Sequence, residues 1–199
     1  MSDVTPPGPA PWGERLFRAR GWLPVPLALA LALLARPVGP GLLVAGALVQ
    51  LAGLALRLWG VAHIGPGSRR RSAEVGALAL SGPYRFVRNP LYLGNLACWA
   101  GLALWTGAPL ALPLALVPLG LHYHLIVGWE EGRLAETLGS PYIEWAQQTP
   151  RWWPSRHPAG PDLPGAWGAA LRSERSTYAV TLLLGGVVLG AGAWARTLA

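Results

Sequence analysis

The chain has 199 residues, of which 52% are hydrophobic and only 13% charged, and its formal net charge is +7. A soluble domain carries about 25% charged residues, so composition argues against an ordinary soluble fold and for an all-α integral membrane protein. All sixteen basic residues are arginine and they lie between apolar runs rather than in one patch. That distribution fits cytoplasmic loops and argues against nucleic-acid binding.

Residues 1–21 read as a flexible Pro-rich tail, with Pro6, Pro7, Pro9 and Pro11 around Gly8. Residues 22–199 read as a single membrane domain with its motif core at 76–154. Arg15, Arg18 and Arg20 precede a short apolar run, Leu23 to Leu34. The same pattern describes a signal peptide, but apolar sequence resumes directly after Arg36-Pro37, which favours a first transmembrane helix. A second span is expected from Leu42 to Ile64. There Gly46, Gln50, Gly53, Arg57 and Gly60 follow one another at spacings of four and three, forming one helix face. Small residues let a neighbouring helix approach closely. Arg57 on this face is a candidate catalytic residue, because an ionisable group inside a span is costly and faces protein or water; the plain alternative is that it snorkels to the surface.

Spans three and four are expected at Leu91–Trp105 and Leu110–Gly128, joined by the turn Gly107-Ala108-Pro109. Gly94, Cys98 and Gly101 form a second small-residue face. Between Arg88 and Glu130 there is no Asp, Glu, Lys or Arg, enough for two crossings at roughly 20 residues each. The hairpin therefore returns Glu130 to the surface where Arg88 lies. A short amphiphilic helix is expected from Trp129, stopped near Gly139, and another from Ser140-Pro141. A Pro/Gly-rich loop follows over 154–168, then a fifth span from Tyr178 to Trp194. Arginine bias places the N-terminus, the basic loops and the hairpin's charged ends in the cytoplasm, as in an inner (cell) membrane protein. Arg36 and Arg196 are exceptions on the outer side.

Arg88, Tyr84, Asn89 and Tyr92 gather at one end of the hairpin, and Glu130 and Glu131 at the other. Such a set suits a ligand with both a carboxylate and cationic groups, the guanidinium forking onto the carboxylate; a solvated charged rim is the plain alternative. His122 and His124 stand at i and i+2, on different helix faces, so no metal site is expected.

The motif Tyr84-x-x-x-Arg88-Asn89-Pro90-x-Tyr92-x-Gly94, followed by Glu130-Glu131-x-x-Leu134, Gly139-x-x-Tyr142 and Thr149-Pro150-Arg151, resembles the isoprenylcysteine carboxyl methyltransferase and phospholipid methyltransferase superfamily. The resemblance covers about residues 40–154. It implies a membrane enzyme that binds S-adenosyl-L-methionine at the cytoplasmic face under a C-terminal lid. Its cofactor contacts would fall on Leu78, Ala79, Tyr84, Arg88, Asn89, Pro90, Tyr92 and Glu130. An amine acceptor must be neutral to react, and His124, Glu131 and Tyr123 are the candidate bases. The chain departs from the prenylcysteine enzymes at Gly76 and Asn89, where they resemble it with His, and at Ile126, where they place an Arg. The expected acceptor is therefore a lipid-like amphiphile without a free carboxylate. The alternatives are a prenylcysteine-type carboxyl methyltransferase, an NADPH-dependent enzyme similar to membrane sterol reductases, and a non-catalytic scaffold.

Overall fold

The structure is a computed structural model that describes residues 11–19, 21–64 and 79–198; Gly76 and Leu78 lie outside them. The described residues form an all-helical bundle: α1 (Pro11–Ala19), α2 (Pro24–Leu34), α3 (Pro40–Ile64), α4 (Pro90–Trp105), α5 (Ala111–Leu138), α6 (Ser140–Gln148) and α7 (Trp167–Thr197), with a 3₁₀ turn at Gly82–Arg85. Three helices, α3, α5 and α7, are long and apolar enough to cross a membrane, while α2 and the 16-residue α4 are shorter. Leu29, Leu33, Leu48, Leu51, Val117, Leu121, Leu182 and Leu183 stand exposed on their outer faces. In water such faces would drive association; in a bilayer they meet acyl chains.

The α3–α4 pair is the most extensive contact in the bundle, and the small-residue faces explain it. A Cβ on Gly53 would lie 2.7 Å from the Gly94 carbonyl oxygen, and one on Gly101 would lie 2.6 Å from the Gly46 carbonyl oxygen. Neither position admits a side chain, so the two backbones approach as the spacing predicts. Around this pair, Leu27 and Leu31 of α2, Trp99 and Leu102 of α4, Leu119 and Tyr123 of α5 and Val188 of α7 close the apolar core.

Several boundaries differ from the expectation. Residues 11–19 are a helix within the expected flexible tail, docked on α5 with Phe17 5.2 Å from Trp129 between ring centroids. The helix expected to end with span four at Gly128 runs on to Leu138, joining the amphiphilic segment to it as one helix, α5. Gly128 keeps helical geometry inside α5, and the stop comes at Gly139, whose φ of 63° takes the chain out of the helix. α6 begins at Ser140, directly after Gly139, as expected from Ser140-Pro141. The helix that carries the expected fifth span, α7, begins at Trp167, eleven residues before Tyr178, because nothing between them breaks helical geometry.

The bundle has two unlike ends. At one, the backbone N–H of Arg36 donates to the Thr106 carbonyl at 2.8 Å, bringing the α2–α3 linker to the α4–α5 turn. At the other, residues 149–166 are strapped over the turn that precedes α4. Arg88 N–H donates to Pro150 O (2.9 Å), Ser155 N–H to Phe86 O (2.8 Å) and Ala159 N–H to Arg85 O (2.8 Å). Arg85 also lies 3.3 Å from the Asp162 carboxylate. His63, at the end of α3, has its ring nitrogens 2.9 Å from Trp59 O and 3.2 Å from Leu163 O, tying that helix to the strap.

Candidate active site

Beneath the strap, the α4 N-terminus and the last turns of α5 bring the predicted polar residues together. Pro90 opens α4, where a missing N–H costs nothing, and Arg88 and Asn89 are held just before it. The carboxylate they meet is that of Glu131 rather than Glu130. Arg88 Nε lies 3.1 Å from Glu131 Oε1, Asn89 Nδ2 donates to the same oxygen at 3.1 Å, and Arg151 donates to Oε2 from Nε (3.0 Å) and NH2 (2.7 Å). Arg88 NH1 donates to the Ala146 carbonyl of α6 at 2.7 Å. Glu131 is 12% exposed and Arg88 15%, so the cluster is screened only partly from its neighbours' fields. Two guanidiniums on one carboxylate leave one positive charge in excess.

Glu130 sits one position away on α5 and accepts a hydrogen bond from the Tyr92 hydroxyl at 3.0 Å. Tyr123, two turns earlier on the same face, lays its ring 4.9 Å from that of Tyr92. The site is thus bipolar, with excess positive charge around Glu131 and negative charge on Glu130.

Tyr84, in the 3₁₀ turn, is buried, and its hydroxyl has no hydrogen-bond partner among the described residues. Burial raises its pKa above the usual phenol value, Arg57 opposing and Glu130 reinforcing the shift. It is therefore a neutral donor at neutral pH, not a base. Trp145 Nε1 and Thr149 Oγ1 are likewise buried without partners among the described residues. Burial raises the Tyr142 phenol as well, with Glu131 adding to it and Arg88 and Arg151 opposing. Ala79 lies half-buried at the edge of the described residues before the turn.

The remaining candidates are placed elsewhere. Arg57 is closed in a two-pronged ion pair with Glu174 of α7, both bonds at 3.0 Å, and its NH1 donates to Asn95 Oδ1 at 2.6 Å. Glu174 has no exposed surface. The guanidinium is consumed by packing α3, α4 and α7 together and does not join the Glu131 cluster. His124 is exposed, two turns before Glu131 on one face of α5, with its ring stacked on Trp152 at 6.3 Å. Ile126 is fully buried.

A family model described as phospholipid methyltransferase matches residues 42–140, from α3 to the first residue of α6. The matched stretch of 99 residues, just under half of the chain, is similar to the phospholipid methyltransferase family. No curated protein and no solved structure matches the chain. The match includes the hairpin with Arg88, Asn89, Glu130 and Glu131, and it ends before Arg151 and Glu174. Arg151 stands in the Thr149-Pro150-Arg151 motif, which by itself names no partner, and no motif marks Glu174 or Asn95. The signal for Arg151 was its motif. Glu174 stands between Arg172 and Arg175 and reads as an ordinary boundary charge, so nothing local marks its burial.

Proposed function

We propose that this membrane protein transfers a methyl group from S-adenosyl-L-methionine to a lipid-like acceptor, at the cytoplasmic end of the bundle. The observation that carries this reading is the bipolar cluster under the strap, where two guanidiniums meet one carboxylate beside Glu130. In that reading α2 and α4 complete five crossings. The 16 residues of α4 span about 24 Å, and its charged and polar ends sit at the two surfaces.

The residues present fit the cofactor's functional groups. The excess positive charge of Arg88 and Arg151 suits a carboxylate. Glu130 suits the amine or a ribose hydroxyl, and Tyr84, Trp145 and Thr149 are buried donors without partners among the described residues. When bound, S-adenosyl-L-methionine supplies a methyl group on a sulfonium, open to in-line displacement. The chain contributes position and exclusion of water, with the 149–166 strap covering the site. Glu130 stabilises a bound cation whose charge fades in the transition state, so it serves binding more than rate.

Both carboxylate oxygens of Glu131 are already engaged by Arg88, Asn89 and Arg151. His124 carries no hydrogen bond on its ring nitrogens among the described residues and is exposed beside Trp152 of the strap. It is the better candidate to take a proton from an amine or hydroxyl. The buried Ile126 leaves no counter-charge for a substrate carboxylate, and burying one unpaired is expensive. The test is purified protein in lipid, given labelled methyl donor with either an amine-headed phospholipid or a farnesylcysteine analogue. Label in the phospholipid is expected. Methyl-ester formation on farnesylcysteine, with none in the phospholipid, would overturn the acceptor assignment.

A further inference from the structure

The end of the bundle opposite the cluster carries its own charges. Between Arg175 and Arg196 on α7 lie twenty uncharged residues, about 30 Å of helix, which is the thickness of a bilayer's hydrocarbon core. Arg196 therefore stands at headgroup level on the far surface. Arg36, on the α2–α3 linker, stands beside it: both line one hollow of about 300 Å³, with Leu43, Trp105 and Leu189. Both arginines are exposed, and neither has an acidic partner among the described residues.

The floor of the hollow is built rather than incidental. The Trp105 indole N–H donates to the Leu43 carbonyl at 2.9 Å. Its ring is wedged between α3 and α7 where both present glycine: a Cβ would lie 2.5 Å from it at Gly46 and 2.6 Å at Gly185. An arginine at a membrane surface ordinarily snorkels to any headgroup. Here two converge on one apolar recess with a fixed aromatic floor. That pattern combines a phosphate fork with room for glycerol and the first part of an acyl chain.

We infer that this hollow is a binding site for a phospholipid with an anionic headgroup, separate from the methyl-transfer site and on the opposite face of the bilayer. The phosphodiester lies between Arg36 and Arg196, and the apolar part descends along Leu43, Trp105 and Leu189. The inference requires only that the bundle spans a bilayer and does not depend on the methyl-transfer reading.

The full chain, purified in a neutral detergent, is to be unfolded thermally while dioleoyl phosphatidylglycerol, dioleoyl phosphatidylcholine or inorganic phosphate is titrated in. The rise in unfolding temperature gives an apparent affinity for each. Phosphatidylglycerol is expected to bind roughly thirtyfold more tightly than phosphatidylcholine, the combined effect of two arginines facing an anionic lipid. The double substitution R36Q/R196Q is expected to abolish that preference, whereas R175Q, at the other end of α7, retains it. L189W keeps both arginines but fills the hollow, and it is expected to lose the preference too. Equal stabilisation by the two lipids, or by inorganic phosphate, would overturn the assignment. So would a preference that survives R36Q/R196Q or L189W, or one that R175Q removes as fully.

Discussion

Two clusters in this bundle are built from the same residue types and do different things. In one, Glu174 meets Arg57, which also holds Asn95; in the other, Glu131 meets Arg88, Arg151 and Asn89. The first pairs one acid with one base through both prongs of the guanidinium, with Glu174 wholly buried, and it is closed. The second has two bases for one acid and lies beneath the strap. In the proposed reading, charge balance separates a structural clamp from a binding site more clearly than residue identity does. A saturated pair offers nothing to a ligand, whereas an unsaturated one does.

Breaking the clamp has the largest expected effect. Glu174→Gln leaves Arg57 with an uncompensated buried charge and is expected to cost about 3–5 kcal/mol of stability. The joint substitution R57M/E174L removes both charges and is expected to restore most of that loss. Unfolding in detergent or mixed micelles reads both, and a double variant no better than Glu174→Gln would show that the clamp does more than balance charge.

The open cluster responds differently, in affinity more than in stability. Arg88→Lys keeps the charge but loses the fork, and is expected to weaken S-adenosyl-L-methionine binding by about 1–3 kcal/mol while leaving the unfolding midpoint nearly unchanged. A large drop in the midpoint with affinity intact would make Arg88 a clamp residue like Arg57.

Tyr84→Phe sharpens the comparison with the smallest effect. It removes a hydroxyl that has no protein partner among the described residues, so stability should hold or rise slightly, while cofactor affinity falls by about 0.5–1.5 kcal/mol. The substitution should also alter the alkaline limit. The folded-state pKa of Tyr84 is raised above its ordinary value of 10.0, so the unfolded chain releases the proton first. Stability is therefore intact below about pH 10 and falls as pH rises beyond it. Phe at this position should flatten that decline, and an unchanged pH profile would show the phenol to be solvated.

The small-residue faces of α3 and α4 could be read from spacing because close helix contact needs glycine at regular intervals, and Gly53 meeting Gly94 fulfils it. The hairpin that returns Glu130 and Glu131 to Arg88 could be read from the uncharged run between them. Which of the two glutamates pairs could not. Adjacent residues on α5 point about 100° apart, and the choice depends on Arg151 arriving on the strap. Arg57 looked functional because a buried charge is costly, and its partner lies 117 positions away on α7. Local pattern carries no trace of a contact at that separation. The helix boundaries differ at Gly128 and before Tyr178 because neither place carries a residue that forces the chain out of helical geometry, as Gly139 does with its positive φ.

The central claim is that the Glu131-centred cluster is a binding site for S-adenosyl-L-methionine. Isothermal calorimetry on the purified chain, with S-adenosyl-L-methionine and with NADPH, tests it directly, using Arg88→Ala as the comparison. The prediction is saturable binding of S-adenosyl-L-methionine, no heat from NADPH, and loss of that binding in Arg88→Ala. Binding of NADPH instead, binding of neither, or unchanged S-adenosyl-L-methionine affinity in Arg88→Ala would contradict it.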